Sequence, residues 1–424
     1  MTRKPKLCII SPWNYPLFNP ECQTHFGGWE VRIALIAKEL AKRSTFQVNL
    51  VIGDHGQSHV EQRDGVTLYS WQGRTIWGIS PKKLAMGTPT RQPTLLTRFR
   101  SKLGTRLSAL KSKYAKSSVS AGQVGSYFIT SEMLAVYDEI KADLYMAPGN
   151  SPFATEVAFY CQQRSKPYIF LAGSDFDFYP EYKLYPEKKD IYGVPFAIKT
   201  FAIESAHAHI VQSERQAELL CKGYSCASVV IKNPIDLPQY FPRNSAAQNI
   251  LWVGKSDERV KRPALILELA RRLPEYPFVV IMNFAVAKTH TECVELARQL
   301  PNVTMVERVP FAEIESYFAN ARLHLNTSLF EGFPNTFLQA AKYGVPTVSM
   351  QVDPGGMLAT YGSGLACHED FEKFKANVCA LMMDTDLYDR LSRQAMAYVR
   401  AYHDKDLIIP QYESALLAVL KQFA

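Results

Sequence analysis

Short apolar runs alternate with helix-like patterns along most of this chain. Residues 7–11 form the first run, Ile33, Ile36 and Leu40 then recur at helical spacing, and residues 47–52 form a second run. Strands that read as continuous apolar runs and are joined through helices are typical of parallel sheets buried on both faces. The alternation therefore predicts an α/β fold.

The alternation occurs in two series, and 424 residues are too many for one ordinary domain. Residues 239–248 separate the series, lack periodicity and contain or adjoin two prolines, so they read as a linker. We expect an N-terminal domain over residues 1–236 and a C-terminal domain over residues 237–404. The last helical pattern, residues 405–424, is long enough to pack on either domain, including back onto the N-terminal one.

The remaining composition excludes some classes of protein. The longest apolar runs are far shorter than the roughly 20 residues that span a bilayer. A basic N-terminus precedes residues 7–10, but Pro12 and Asn14 interrupt that run, which argues against export. The eight cysteines include no Cys-x-x-Cys pair and suit the thiols of a reducing cytoplasm. We therefore expect a cytoplasmic protein.

The net charge of +8 is concentrated in one segment. Between Gly65 and Ser131 there are eleven basic residues and no acid, so the rest of the chain carries −3. We interpret this as a basic insertion in the first domain, about residues 73–131. Within residues 95–116, apolar residues recur every three or four positions between basic ones. Such a helix can dock on an anionic membrane at its inner face, or it can turn an apolar stripe to the core; both interpretations stay open. Nucleic acid is not expected as a partner, because no stacking platform accompanies the charge.

The most specific motif lies in the second series. Residues 328–341 read SLFEGFPNTFLQAA, with Glu331 and Gly332 just before a helical pattern. Upstream, Lys255 and Lys261 stand six positions apart after an apolar run. This set resembles the donor site of family 4 glycosyltransferases, the retaining group 1 enzymes of the GT-B fold. Residues 26–30, 233–236 and 344–349 extend the resemblance over nearly the whole chain, with its weakest part at residues 72–140.

The resemblance implies a fold and a reaction. The fold is GT-B, with two Rossmann-like, doubly wound domains facing each other across a cleft. The reaction moves a sugar from a nucleoside-diphosphate-sugar to a carbohydrate or lipid-linked acceptor with retention of configuration. No metal and no cofactor beyond the nucleotide sugar are expected. The leaving diphosphate itself would take the proton of the acceptor.

The motif residues suit the chemistry of a diphosphate leaving group. Its departure builds negative charge, which Lys255, Lys261 and the free N–H groups at a helix N-terminus can stabilise. The family usually has Arg at position 255, so charge is kept and the bidentate fork is lost. Glu331 suits a hydroxyl of the transferred sugar. The other donor-binding candidates are Gly332, Phe333, Pro334, Asn335, Thr336 and Gln339.

Three of these candidates carry further expectations. Asn335 and Thr336 have side chains suited to capping the helix that begins there. Gln339 stands where the family has a second Glu, assigned to the ribose hydroxyls. A Gln can still accept from one hydroxyl and donate to another, so the change concerns donor affinity rather than chemistry.

The first domain supplies weaker candidates. Gly27 and Gly28 precede a helix and would let its N-terminus approach the donor phosphates. Asp175 stands where the family often has a catalytic His that contacts the sugar; its alternative role is an Asx turn. Asp175 and Asp177 also imitate an Asp-x-Asp metal site, but that site belongs to a different fold.

Other polar and aromatic residues keep open assignments. His25, beside the glycines, is a candidate for a polar role in the cleft. Tyr179, Tyr182 and Tyr185 could line an acceptor site or pack between the domains.

Two other functions are alternatives to a glycosyltransferase. A catalytically weak protein that binds sugar nucleotides or glycans would explain Lys255 and Gln339. An NAD-dependent enzyme is disfavoured, because no Gly-x-Gly-x-x-Gly follows either first strand.

Overall fold

The computed structural model describes residues 3–22, 24, 26–71, 131–190, 195–238 and 246–423. Most of the basic insertion, including residues 95–116, lies outside this described part, and so does His25. The membrane-docking interpretation and the proposed role of His25 therefore receive no structural account.

The N-terminal domain is built on an eight-stranded sheet. Its strand order is β3-β4-β2-β1-β5-β6-β7-β8, and every neighbouring pair is parallel except β3 with β4. The strands are β1 (Lys6–Ile10), β2 (Gln47–Gly53), β3 (Val60–Arg63), β4 (Val66–Trp71), β5 (Leu144–Pro148), β6 (Tyr168–Leu171), β7 (Ala208–Val211) and β8 (Val229–Val230). The helices between them are α1 (Gly28–Arg43), α2 (Ser131–Ile140), α3 (Pro152–Arg164), α4 (Glu181–Leu184), α5 (Phe196–Glu204) and α6 (Glu214–Tyr224).

The C-terminal domain contains a six-stranded parallel sheet. Its strand order is β11-β10-β9-β12-β13-β14. The strands are β9 (Asn249–Lys255), β10 (Phe278–Asn283), β11 (Val303–Val306), β12 (Ala321–Asn326), β13 (Thr347–Ser349) and β14 (Gly364–Ala366). The helices are α7 (Pro263–Arg272), α8 (Ala287–Ala297), α9 (Phe311–Ala319), α10 (Asn335–Lys342), α11 (Phe371–Met383) and α12 (Thr385–Tyr402).

Both sheets are covered by helices on their two faces, which explains why the strands read as continuous apolar runs. In β1, Leu7 and Ile9 belong to one buried cluster and Cys8 and Ile10 to another on the opposite face. The first cluster includes the apolar stripe of α1, and the second includes residues of α2 and α3. The predicted α/β class is therefore confirmed.

The last helix, α13 (Lys405–Phe423), packs on the N-terminal domain. Its residues Ile408, Tyr412 and Leu416 share a buried cluster with Ile33 of α1. The chain thus crosses between the domains twice, and the two crossings pair with each other. The N–H of Ile235 donates to the carbonyl of His403 at 2.7 Å, and the N–H of Lys405 donates to the carbonyl of Ile235 at 3.0 Å.

Some elements differ from the sequence pattern. The antiparallel hairpin β3–β4 turns at Asp64 and Gly65, which both have positive φ, and its short strands extend the sheet at its edge. Helix α1 begins at Gly28 rather than after the glycines. In the described part of the chain, no helix is both long and apolar enough to cross a membrane.

Candidate active site

A cleft of about 320 Å³ separates the two domains. The C-terminal wall comes from the ends of β9 and β10, the loop after β12 and the start of α10. The N-terminal wall comes from the start of α1 and from the residues that follow β6 and β7. Parallel α/β sheets form their binding sites outside the carboxyl ends of the strands, and here two such edges face each other.

The C-terminal wall carries a cation–carboxylate pair. The Lys261 ammonium forms a salt bridge with the carboxylate of Glu331, and the Ser328 hydroxyl donates to the same carboxylate oxygen at 2.8 Å. Both charged side chains are about three-quarters or more buried. The Glu331 carboxylate is thus held in one orientation at the edge of the cleft, with its second oxygen available for another donor.

Lys255 is the second cation of this wall. It is the last residue of β9, it is exposed, and its charge, after the stronger effect of Arg259, helps to lower the pKa of Asp257. Its Nζ lies 3.7 Å from the point where a Cβ on Gly27 would be. The ammonium therefore reaches across the cleft to the N-terminus of α1.

Helix α10 begins without a capping side chain. Pro334, not Asn335 or Thr336, occupies the N-cap position, and no side chain caps the first N–H groups. The predicted capping by Asn335 and Thr336 is therefore wrong. The Asn335 amide instead donates across the cleft to the carbonyl of Gly28 at 2.5 Å. The first N–H groups of α10 stay available to an anion, which a helix N-terminus favours.

The two domains approach each other so closely at Gly332 that a side chain would not fit there. A Cβ at this position would lie 2.5 Å from the carbonyl oxygen of Gly173 and 3.0 Å from the Cα of Ser174. Gly173 is itself confined, because a Cβ there would overlap the indole ring of Trp29. The loop that carries Glu331 therefore lies directly against the loop after β6.

Gly27 and Gly28 form the N-terminus of α1. The backbone N–H of Gly27 donates to the Glu30 carboxylate at 2.6 Å, so Glu30 satisfies a donor at the helix start. Gly28 faces Asn335, since a Cβ on Gly28 would lie 3.4 Å from the Asn335 amide nitrogen. Both glycines line the cleft.

A polar network links the domain crossing to this loop. The Asn233 amide donates to the carbonyl of Phe333 and to the side-chain oxygen of Asn335, each at 3.3 Å. His403 contacts the Asn233 carbonyl through Nδ1 at 2.8 Å and is fully buried. Burial lowers the pKa of His403 to about 3, so this imidazole is neutral at physiological pH. The crossing segment thus fixes the backbone of the Glu331 loop.

The remaining donor candidates line the same cavity. Thr336 and Gln339 lie on α10 and face it, and Pro334 starts that helix. Phe333 is largely buried, with its ring 4.7 Å from that of His403. The structure thus brings together Lys255, Lys261, Glu331 and every donor-binding candidate.

Asp175 is the exception among the predicted catalytic residues. It starts a 3-10 turn (Asp175–Phe178) and pairs with Arg215 at 2.9 Å, and it is not among the residues that line the cleft. Burial raises the pKa of Asp175, although Gln216 and Arg215 oppose that rise. The structure therefore sets this carboxylate beside the cleft rather than in it.

The neighbouring Asp177 has a structural role. Its carboxylate accepts hydrogen bonds from the N–H groups of Gly173 at 2.6 Å, Ser174 at 3.0 Å and Asn150 at 3.0 Å. Asp175 and Asp177 thus engage different partners, and the described residues contain no group of three potential metal ligands from His, Cys, Asp and Glu.

Arg32 lines the cleft although it was not predicted from the sequence. Its guanidinium is buried and donates to the carbonyl of Ala172 at 2.7 Å and to the Tyr412 hydroxyl at 2.5 Å. Ala172 precedes Gly173, so Arg32 and α13 together support the N-terminal wall. The available signal was a basic residue on the apolar face of α1, one position before Ile33.

Arg308 also lines the cleft without having been predicted. It follows β11 and donates to the carbonyl of Thr24 in the other domain at 3.2 Å. Its sequence surroundings contain no motif that would have selected it.

Comparisons with known proteins agree with this geometry. Residues 247–384 match the family model described as "Glycosyl transferases group 1". The lipopolysaccharide 1,6-galactosyltransferase of Salmonella typhimurium is 26% identical over 152 residues, which cover 33% of this chain and 41% of that protein. The match thus spans about two fifths of that relative's length.

Solved structures resemble the whole chain at low sequence identity. Sucrose-phosphate synthase from Thermosynechococcus elongatus has a TM-score of 0.70 and 14% identity, covering 99% of this chain and 100% of that one. HepE from Anabaena, solved with UDP and glucose, has a TM-score of 0.64 and 15% identity, covering 97% and 99%. The lipopolysaccharide outer core galactosyltransferase WaaB has a TM-score of 0.56 and 15% identity, covering 97% and 99%. Residues 247–384 therefore match the group 1 glycosyltransferase model, and the whole chain has the two-domain GT-B fold of these solved structures.

Proposed function

We propose that this protein transfers a sugar from a nucleoside-diphosphate-sugar to a carbohydrate or lipid-linked acceptor with retention of configuration. The observation that carries the proposal is the convergence in one cleft of Lys255, the Lys261–Glu331 pair and the uncapped start of α10. These groups face the N-terminus of α1 from the opposite wall. The arrangement offers two cations and two helix N-termini to one anionic ligand.

The diphosphate of the donor would bind among these groups. Lys255 and Lys261 supply charge, and the first N–H groups of α10 supply donors that need no rearrangement when charge develops. Such preorganised donors lower the barrier because negative charge grows on the leaving phosphate as its bond to the sugar breaks. HepE was solved with UDP and glucose, so UDP is the first nucleotide to test. Gln339, further along α10, would contact the ribose hydroxyls.

Glu331 would orient the transferred sugar. Its carboxylate is fixed by Lys261 and Ser328, so it can accept from a sugar hydroxyl without losing its position. The acceptor oxygen would attack the anomeric carbon on the face that the diphosphate leaves. As the carbon–oxygen bond to the phosphate breaks, the acceptor proton would pass to a phosphate oxygen. This route requires no protein base, no metal and no cofactor besides the donor.

The N-terminal domain would hold the acceptor. The curated relative is named for galactosyl transfer to lipopolysaccharide, so a sugar chain on a lipid is a reasonable acceptor class to test. The basic segment, residues 95–116, would then meet an anionic membrane at its cytoplasmic face. Flotation with anionic and neutral vesicles tests this part, using a variant in which Arg98, Arg100, Lys102 and Arg106 are changed to Gln. Binding that is indifferent to both changes would remove the membrane from the proposal.

Calorimetry with UDP, GDP and ADP tests whether a nucleoside diphosphate binds at the donor site. A ligand that binds the folded state also raises its melting temperature, which gives a second measure of binding. Mass spectrometry of reactions with the matching nucleotide sugars then detects hydrolysis or transfer. Glu331→Gln should lower turnover strongly while nucleotide binding persists. Lys288→Ala is the matched control, since this lysine is 85% exposed on α8, away from the cleft. No binding of any nucleoside diphosphate would contradict the proposal.

A catalytically weak sugar-nucleotide or glycan-binding protein is the second candidate. It is favoured by Lys255 and Gln339, which stand where the related enzymes usually have Arg and Glu. Nucleotide binding without hydrolysis or transfer, for every nucleotide sugar tried, would select this alternative.

A further inference from the structure

A row of aromatic rings crosses the boundary between the domains beside Glu331. Phe330 precedes Glu331 in the C-terminal domain, and its ring centroid lies 4.3 Å from that of Phe176 in the N-terminal domain. Phe176 stacks on Tyr179, with centroids 5.2 Å apart and planes inclined by 12°. We call Phe330, Phe176 and Tyr179 the aromatic seam.

The aromatic seam is open to solvent at its outer end. Tyr179 is 44% exposed, and Leu329, next to Phe330, is 43% exposed. Leu184 and Tyr185, later in the same segment of the N-terminal domain, are also exposed. Aromatic rings packed in a row beside a cleft are typical of a ligand site, whereas isolated exposed apolar residues are ordinary.

Polar groups lie directly beside these rings. Asp175 precedes Phe176, and its carboxylate pairs with Arg215, which is 75% exposed. The pair therefore offers an acceptor and several donors at the surface, next to flat apolar faces. A sugar ring presents apolar C–H faces, which suit the aromatic rings, and a rim of hydroxyl groups, which suits the Asp175–Arg215 pair. A lipid chain is complementary to the aromatic rings alone.

The aromatic seam lies next to the cleft. Phe330 is bonded to Glu331, which lines the cleft, and the loop of Phe176 contains Gly173, which abuts Gly332. An acceptor saccharide whose terminal sugar lies beside the sugar held by Glu331 would extend its next units along the rings. Since Phe330 and Phe176 belong to different domains, the site is complete only when the domains are in the observed arrangement.

We propose that the aromatic seam, with Asp175 and Arg215, binds the sugar units of the acceptor that follow the one being extended. The proposal rests on the proposed function and names its acceptor class as a saccharide of at least two units. Asp175 then contacts acceptor hydroxyls rather than the transferred sugar. Tyr179 supplies the outermost stacking face.

Saturation-transfer NMR tests the site with glucose, maltotriose, cellotriose and melibiose. Tyr179→Ala and Asp175→Asn change exposed or half-buried side chains, and Tyr361→Ala is the control because it removes an exposed tyrosine on the C-terminal domain. We expect at least one of the oligosaccharides to bind more tightly than glucose. Tyr179→Ala should then weaken it about tenfold, as expected for the loss of one stacked ring. Asp175→Asn should weaken it to a smaller extent, and Tyr361→Ala should leave it unchanged.

UDP calorimetry and donor hydrolysis on the same samples separate this proposal from the donor site. Both variants should keep UDP affinity and donor hydrolysis at wild-type levels while saccharide binding falls. If no saccharide in the panel binds, or if Tyr179→Ala leaves all binding intact, the proposal is wrong even when UDP binds. Tyr179-dependent binding to phosphatidylcholine vesicles in place of the saccharides would also overturn it.

Discussion

The two walls of the cleft are built in different ways. On the C-terminal wall, Lys255, Lys261 and Glu331 lie within 77 residues of one another, on loops at the carboxyl edge of one sheet. On the N-terminal wall, Arg32 of α1 holds Ala172 after β6 and is itself held by Tyr412 of α13. The charged groups of one wall thus come from strand ends and loops at the edge of one sheet, whereas the support of the other wall comes from contacts between distant parts of the chain.

This difference shows which kind of site a sequence pattern reveals. Loops at the ends of neighbouring parallel strands lie side by side. A motif on such loops therefore predicts a site once the strand order is known. A buried Arg supported by a helix from the end of the chain leaves only a weak local signal, a basic residue on an apolar helix face. Substitutions on the C-terminal wall should accordingly lower turnover, whereas substitutions on the N-terminal wall should mainly lower stability.

The largest effect is expected for the charged pair of the C-terminal wall. Glu331→Gln and Lys261→Ala should each lower kcat by about 10²–10³-fold, as for the removal of one preorganised group that stabilises transition-state charge. Steady-state hydrolysis of the donor measures the change. A loss under fivefold in both variants would contradict the role of this wall, and Lys288→Ala should retain full activity.

The next effect concerns the contact between the walls. Gly332→Ala should lower kcat by up to about 10²-fold, since its Cβ would displace the Glu331 loop from Gly173 by a distance near 1 Å. Gly223→Ala in α6 is the matched control, because its Cβ would meet its nearest neighbour at 3.6 Å, an ordinary contact. Equal kinetics for both variants would show that the close approach is unimportant.

A change in the N-terminal wall should act mainly on stability. Tyr412→Phe removes the hydroxyl that accepts from Arg32 and leaves a buried guanidinium N–H without a partner. The free energy of unfolding should fall by about 1–3 kcal/mol, measured by urea denaturation. UDP affinity should change little, since Tyr412 does not line the cleft. An unchanged unfolding midpoint would show that α13 does not support this wall.

The smallest effect is expected at Gln339. Gln339→Glu would replace a neutral acceptor by a charged one, and hydrogen bonds to charged groups are about twice as strong as neutral ones. The affinity for UDP should therefore rise by about fivefold in calorimetry, with kcat little changed. Weaker binding would indicate that the ribose hydroxyls lie elsewhere.

The sequence by itself determined the α/β class, the alternation of strands and helices in two series, and the position of the Glu331 motif. These features follow from local periodicity and from loops at the ends of neighbouring strands, and both are written in short stretches of chain. The antiparallel hairpin β3–β4 was not predicted, because β3 has only four, mostly exposed residues and β4 lies at the start of the acid-free segment, most of which was interpreted as an insertion.

Only the tertiary structure decided how individual side chains are used. Asn335 bonds to Gly28, 307 positions away, and not to its own helix; Arg32 bonds to Tyr412, 380 positions away; Asp175 pairs with Arg215 beside the cleft. Asn335 and Asp175 each had a local role that the sequence surroundings made plausible, and Arg32 was not predicted at all. The distant partner is engaged instead because packing two sheets and the returning helix α13 together buries these groups, and a buried polar group bonds to whatever partner the fold brings within reach.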